Sequence, residues 1–293
     1  MRRYCDAGLR ISAYAQILRC ETTYTRSCGI AELRSCGCAY SRIPVDLDMR
    51  SPVDAALREP GFPQKRIYVT PYIRTPADKD LRMLVISVLN LKGGSTKTTT
   101  AAFLAHALHE AGMSVLGVDA DGENESLLSW QAAGDWPFPV IGMPVANLHR
   151  QLPGIAGEKY DVVVIDTPPM KEQRSIVLSA ARLATHIVCP MAPTQMEYSR
   201  LPAMAQLLEE VTDLRDGDRP LFAVLFTRTV SNAASTAAFR QLVEDDGFPV
   251  LKPTVGRLER FAQAYGSPIS NALNTAYGDA ANELFALTGS EVA

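Results

Sequence analysis

The stretch "VLNLKGGSTKTTTAAFLAHALHEAG", Val88 to Gly112, decides how the chain is read. At its head, "VISVLN" (Val85 to Asn90) is a short apolar run rich in β-branched residues, which predicts a buried strand. From Thr98 to Glu110 alanine and leucine recur at helical spacing, and Gly112 stands where a helix would end. Between them lies "KGGSTKT". A glycine-rich loop joining a strand to a helix is the setting in which a phosphate-binding loop works. Gly93 and Gly94 let backbone N–H groups approach a phosphate, and the helix N-terminus adds partial positive charge. Lys97 is placed to reach the β- and γ-phosphates, and the Thr98 hydroxyl to ligate Mg²⁺. The predicted nucleotide-binding residues are Lys92, Gly93, Gly94, Ser95, Thr96, Lys97, Thr98 and Thr99.

The loop departs from the usual pattern in two ways. Thr96, not glycine, precedes Lys97, and a second lysine, Lys92, stands ahead of the glycines. It fits the deviant form Lys-Gly-Gly-x-x-Lys-Thr. On these residues the chain resembles the ParA/MinD family of partition and positioning ATPases, most of all the small plasmid and chromosome partition ParA proteins. The resemblance runs from Met83 to the C-terminus. Two further segments carry it. "SVLGVDADGENES" ends an apolar strand on Asp119 and Asp121, the family's Asp-x-Asp segment, and "YDVVVIDTPP" ends another on Asp166 at the Walker B position. Acids at the C-terminal edge of buried strands suit magnesium chemistry, since α/β ligands gather at that edge.

The resemblance implies an ATPase, weak alone, that uses ATP and Mg²⁺ and closes into a homodimer around two nucleotides. It implies that Lys92 reaches phosphate oxygens in the other subunit, a point charge in a drying interface. It also implies that Asp121 orients the attacking water while Asp119 and Asp166 support the magnesium shell. Where the family continues with Pro-Gln-Gly, this chain has Gly122, Glu123 and Asn124. Glu123 either holds water or metal or caps the following helix.

Farther along, "HIVCPMAP" and "PLFAVLFTR" predict buried strands, and "MEYSRLPAMAQLLEEV", "AAFRQLVEDDG" and "NTAYGDAANELFALTG" predict helices. The alternation implies an α/β fold: one doubly wound, mostly parallel sheet with helices on both faces, over residues 83–293. That length suits one domain with its own core. No run of eighteen apolar residues occurs and no signal-type segment opens the chain, so a soluble, cytoplasmic protein is expected.

With 29 basic and 32 acidic residues, net −3, bulk charge does not announce a nucleic-acid partner. Locally, "FTRTVSN" carries Arg228, and "KPTVGRLERFAQAYGSP" carries Lys252, Arg257 and Arg260. Read alone, these form a solvated basic face. The resemblance makes them contacts to non-specific DNA, with nucleoid association and a ParB-like centromere-binding adaptor that stimulates hydrolysis. The tail "AANELFALTGSEVA" has acids and no lysine or arginine, unlike the basic helix with which MinD-type relatives bind membrane. Two alternatives stand beside partition: a MinD-like positioning ATPase, and a nucleotide-gated repressor that binds operator DNA.

Residues 1–82 read differently. They hold five of the six cysteines without a Cys-x-x-Cys pair, so zinc spacing is lacking. Arginine recurs every eight residues, at Arg2, Arg10 and from Arg26 through Arg82, with Arg19 beside the skipped position. Eight residues match no helical face and no packed repeat. The expectation is a poorly ordered extension with two readings: short DNA repeats translated in frame, with Met83 the natural start, or a flexible basic arm on DNA phosphates.

Overall fold

The computed structural model describes residues 83–289, apart from 216 and 232. The expected extension over residues 1–82, with its arginine spacing, lies outside the described residues.

In chain order the elements are β1 (Leu84–Val88), α1 (Lys97–Glu110), β2 (Val115–Asp119), α2 (Ser126–Gly134) and β3 (Val140–Gly142). Next come α3 (Leu148–Ala156), β4 (Val162–Asp166), α4 (Arg174–Leu183) and β5 (His186–Met191). Then follow α5 (Gln195–Tyr198), α6 (Leu201–Asp213), β6 (Leu221–Phe226), α7 (Ala234–Asp245), α8 (Glu259–Ala262) and α9 (Ala276–Gly289). Strands β1, β2, β4 and β5 are buried at every position, as strands covered on both faces must be. Successive side chains serve opposite layers. Leu84, Ile86 and Val88 pack with Ala101, Leu104 and Leu108 of α1 and with Tyr277 and Leu284 of α9. Val85 turns the other way, into a core with Val163, Leu148 and Leu152 of α3 and Ala180 of α4. A further core on α6 gathers Met204, Leu207 and Val211 against Ile187, Val224 and Phe226.

The sheet order is β3-β2-β4-β1-β5-β6, and every pair is parallel. The chain runs from β1 out to β3, returns through β4, then crosses to β5 and β6. That reversal beside β1 opens a crevice at the C-terminal edge, where α/β sheets hold ligands. Register fixes what stands there: Val88 pairs with Asp166, and Asp166 with Asp119. The expected doubly wound sheet is thus present, wholly parallel.

Two details differ from the sequence reading. The helix expected over "MEYSRLPAMAQLLEEV" is divided into α5 and α6, with Pro202 in the first turn of α6. Proline has no N–H to donate to a preceding turn and is best accommodated in the first turn of a helix. The short edge strand β3 was not anticipated; its residues are buried only in part. Among the described residues no helix is long and apolar enough to cross a membrane.

The segment that leads into α9 packs against one small residue. A Cβ at Gly278 would lie inside van der Waals distance of the Leu273 carbonyl oxygen, on the chain that leads into α9. Backbone cannot yield as a flexible side chain can. Gly278→Ala should therefore destabilise the fold by about 3 kcal/mol or more. The loss should also loosen Tyr277, whose ring stacks on Phe103 at 5.2 Å. Denaturant unfolding measures it; an unchanged midpoint would mean that α9 enters at another angle.

Candidate nucleotide site

The loop after β1 is built before any ligand arrives. Asn90, almost fully buried, donates through Nδ2 to the Pro190 carbonyl at 2.8 Å and accepts the Lys92 N–H at 3.3 Å. Ser95 Oγ donates to the Lys92 carbonyl at 3.1 Å. Gly94 and Thr96 both take left-handed backbone, with φ of 71° and 66°. Glycine adopts that freely, whereas a β-branched residue there costs roughly 1–3 kcal/mol. Thr96 is held in place by its hydroxyl, 3.1 Å from Thr227 Oγ1 at the end of β6. No side chain caps α1 at Thr96, so its first N–H groups remain directed at the crevice.

Lys97, only 7 % exposed, donates from Nζ to the Lys92 carbonyl at 3.1 Å. Burial lowers its pKa, while Asp166 and Asp121 oppose that shift. Asp166 is fully enclosed at the end of β4, and burial pushes its pKa up to about 7. The Thr98 hydroxyl hydrogen-bonds to it, yet among the described residues Oδ1 has no hydrogen-bond partner. Thr167 Oγ1 donates to the Val88 carbonyl at 2.8 Å and pins the following loop to β1.

The Asp-x-Asp segment divides its labour. Asp119 accepts the N–H groups of Leu127 and Leu128 at 2.9 and 3.0 Å on one oxygen, and that of Asp121 at 3.0 Å on the other. It therefore caps the start of α2 and shapes the turn that carries Asp121. Glu123, read from sequence as a possible cap, is exposed and has no such role; α2 starts after Glu125 and takes its capping acceptor from Asp119. Asp121 accepts the Glu123 and Asn124 N–H groups, each at 3.3 Å, and the Asn124 side-chain amide at 2.9 Å. This turn stands where the family pattern has Pro-Gln-Gly.

A cavity of about 1030 Å³ opens over these groups, lined by Gly93 through Thr99, by Asp121 and Asn124, and by Thr167. Its far wall is Phe261 and Tyr277, with Arg228 and Arg257. Arg228 has left-handed φ of 54° and donates from Nη2 to the Gly94 carbonyl at 2.6 Å. The four expected basic residues thus do not share one place. Arg228 and Arg257 line the cavity, while Arg260 lies over the Phe261 ring at 4.9 Å. Lys252 is exposed, with its backbone N–H on Glu283 Oε2 at 2.9 Å. Lys92 is different again. It is absent from the cavity wall, and its Nζ lies 3.6 Å from Glu197 Oε1 and 3.9 Å from Met196 Sδ.

The donor set fits magnesium. Mg²⁺ takes few protein oxygens and completes its shell with water and phosphate. An unpartnered Asp166 oxygen beside the Thr98 hydroxyl, next to exposed loop N–H groups, offers that arrangement. Asp119 has both oxygens engaged with backbone, so any part it takes runs through the frame it builds.

The chain is similar to known proteins in sequence and in fold. Over 196 residues the chain is 27% identical to the maintenance of carboxysome distribution protein A of Halothiobacillus neapolitanus, covering 64% of this chain and 87% of that one. It is 29% identical over 229 residues to the chromosome-partitioning ATPase Soj of Thermus thermophilus, covering 66% and 90%. The fold matches cobyrinic acid a,c-diamide synthase of Mycobacterium smegmatis, solved with ADP and magnesium, at a TM-score of 0.51 and 24% identity, over 63% of this chain and 92% of that one. The CobQ/CobB/MinD/ParA nucleotide binding domain (CbiA) matches residues 86–269, from inside β1 to beyond the cavity wall at Phe261. With the phosphate loop, the strand-end acids and the sheet order in place, the chain belongs to that family.

Proposed function

We propose that the protein is an ATP-dependent dimerising ATPase of the DNA-partition type. The observation that carries this reading is the placement of Lys92: a cation fixed to the phosphate loop whose ammonium lies outside its own cavity. Such a group cannot serve the nucleotide beneath it without leaving its partner, yet it faces whatever closes over the loop. A second subunit with its own nucleotide is that closure. Loop N–H groups and Lys97 hold the phosphates, and Tyr277 and Phe261 wall the far end. Magnesium, held by Thr98 and Asp166, would neutralise charge between the phosphates. Asp121, held by its own turn, orients the water. DNA binding, nucleoid association and stimulation by a ParB-like adaptor complete the reading. An arginine finger from such an adaptor adds about 10³–10⁵ in rate in other nucleotide switches.

Cargo positioning by a MinD-like or carboxysome-distribution protein is a second reading, supported by the first relative above. Both use the same switch on different cargo. A repressor differs in kind: it would bind operator sequence without needing hydrolysis. ATP-dependent binding that is indifferent to sequence supports partition or positioning; operator-specific binding without ATP contradicts both.

The basic residues give a second test. Arg257→Glu with Arg260→Glu should weaken binding to any duplex at least tenfold, since the contacts are to phosphates. Wild-type affinity should fall steeply with salt as counterions are released. Because Arg257 also lines the cavity, Arg260→Glu alone serves as the control and should leave ATP affinity unchanged. Full DNA affinity in the double variant would place the DNA surface elsewhere.

A further inference from the structure

Lys92 is anchored at its backbone and free at its tip. Its N–H is held by Asn90, and its carbonyl accepts both Ser95 Oγ and Lys97 Nζ. Its side chain is 40 % exposed and ends beside Glu197, whose side chain is only 10 % exposed. Glu197 sits on α5, directly after the cavity-lining Thr194, whose hydroxyl accepts the Glu197 N–H at 3.4 Å. The same carboxylate oxygen also meets Arg200 Nη1 at 3.4 Å.

We propose that Glu197 is a latch that holds Lys92 in its own subunit and thereby sets the threshold for nucleotide-dependent dimerisation. This rests on the cross-subunit role proposed above for Lys92. While latched, the Lys92 charge is neutralised and offers little to a partner's nucleotide. To reach across, the ammonium must exchange one carboxylate for phosphate oxygens. A triphosphate in an interface losing water outcompetes the carboxylate; a diphosphate, with less charge and shorter reach, does not. Arg200 makes the release possible. It stays on Glu197 when Lys92 departs, so a buried carboxylate is never left without a partner. Glu197 is thus a positioning residue that acts through Lys92.

Two substitutions should move dimerisation in opposite directions. Glu197→Gln frees Lys92, and each latch released is worth up to about fivefold, so the pair in a dimer gives up to about twenty-five-fold tighter association with ATP. Some dimer should also appear with ADP. Arg200→Gln leaves Glu197 wholly to Lys92 and should weaken ATP-dependent association. Nucleotide affinity of the monomer should stay within about twofold in both, because neither side chain lines the cavity. Analytical ultracentrifugation across protein concentration, with ATP or ADP, reads all of this; if Glu197→Gln misfolds, Glu197→Asp, whose shorter carboxylate also releases Lys92, carries the test by tightening association with ATP. A merely structural role would weaken dimerisation in both variants. Glu197→Gln dimerising no more tightly than wild type, or both variants shifting the same way, overturns the latch alone. Wild type that stays monomeric with ATP overturns the Lys92 reading and the latch together.

Discussion

Lys97→Ala should lower ATP affinity by about two to three decades and leave the nucleotide-free protein at least as stable as wild type. The two halves of this expectation share one cause. Lys97 is buried, its pKa is lowered by that burial, and its ammonium donates a hydrogen bond to the backbone carbonyl of Lys92. Without nucleotide the site keeps an ammonium away from water for little return. With nucleotide, the β/γ-phosphate charge lies in the same enclosed space, and removing the cation leaves it uncompensated at about 3–5 kcal/mol. Isothermal titration with ATP and magnesium, beside a thermal scan of the free protein, measures both. Normal affinity, or a collapse of the free protein, would show that Lys97 serves the fold rather than the ligand.

Lys92→Ala should do the reverse: keep ATP binding within a few-fold and abolish ATP-dependent dimerisation, with stimulated hydrolysis lost alongside. The side chain does not line its own cavity, and its ion pair with Glu197 is half in solvent, so its removal costs the monomer little. In a closed interface, the same ammonium faces phosphate in a medium where attraction is several times stronger than in water. Nucleotide titration with sedimentation of the same samples separates the effects. A Lys92 variant that dimerises at normal affinity would end the cross-subunit role.

Local pattern carried the parts of the site that depend on neighbours in sequence. A buried apolar run must end at a sheet edge, so "VISVLN", "SVLGVD" and "YDVVVID" placed the phosphate loop, Asp119 and Asp166 at one rim, and the register of β2, β4 and β1 agrees. What the pattern missed depends on distant partners. Arg228 lies 134 residues from Gly94, so its inward turn onto the loop leaves no trace in spacing, and charge alone marked it as a surface cation. Asp119 looked like a metal acid because of its strand-end position. Its bonds to Leu127 and Leu128 form only once the Gly122–Asn124 turn folds back. Pro202 was visible in the sequence, but the apolar periodicity on either side of it concealed the break between α5 and α6.

Nucleotide-dependent association is tested most directly by light scattering after size exclusion of the full chain without nucleotide, with ADP and with ATP plus magnesium. The expected masses are those of a monomer in the first two conditions and a dimer in the third. A mass that is the same in all three conditions, monomer or dimer, would contradict it.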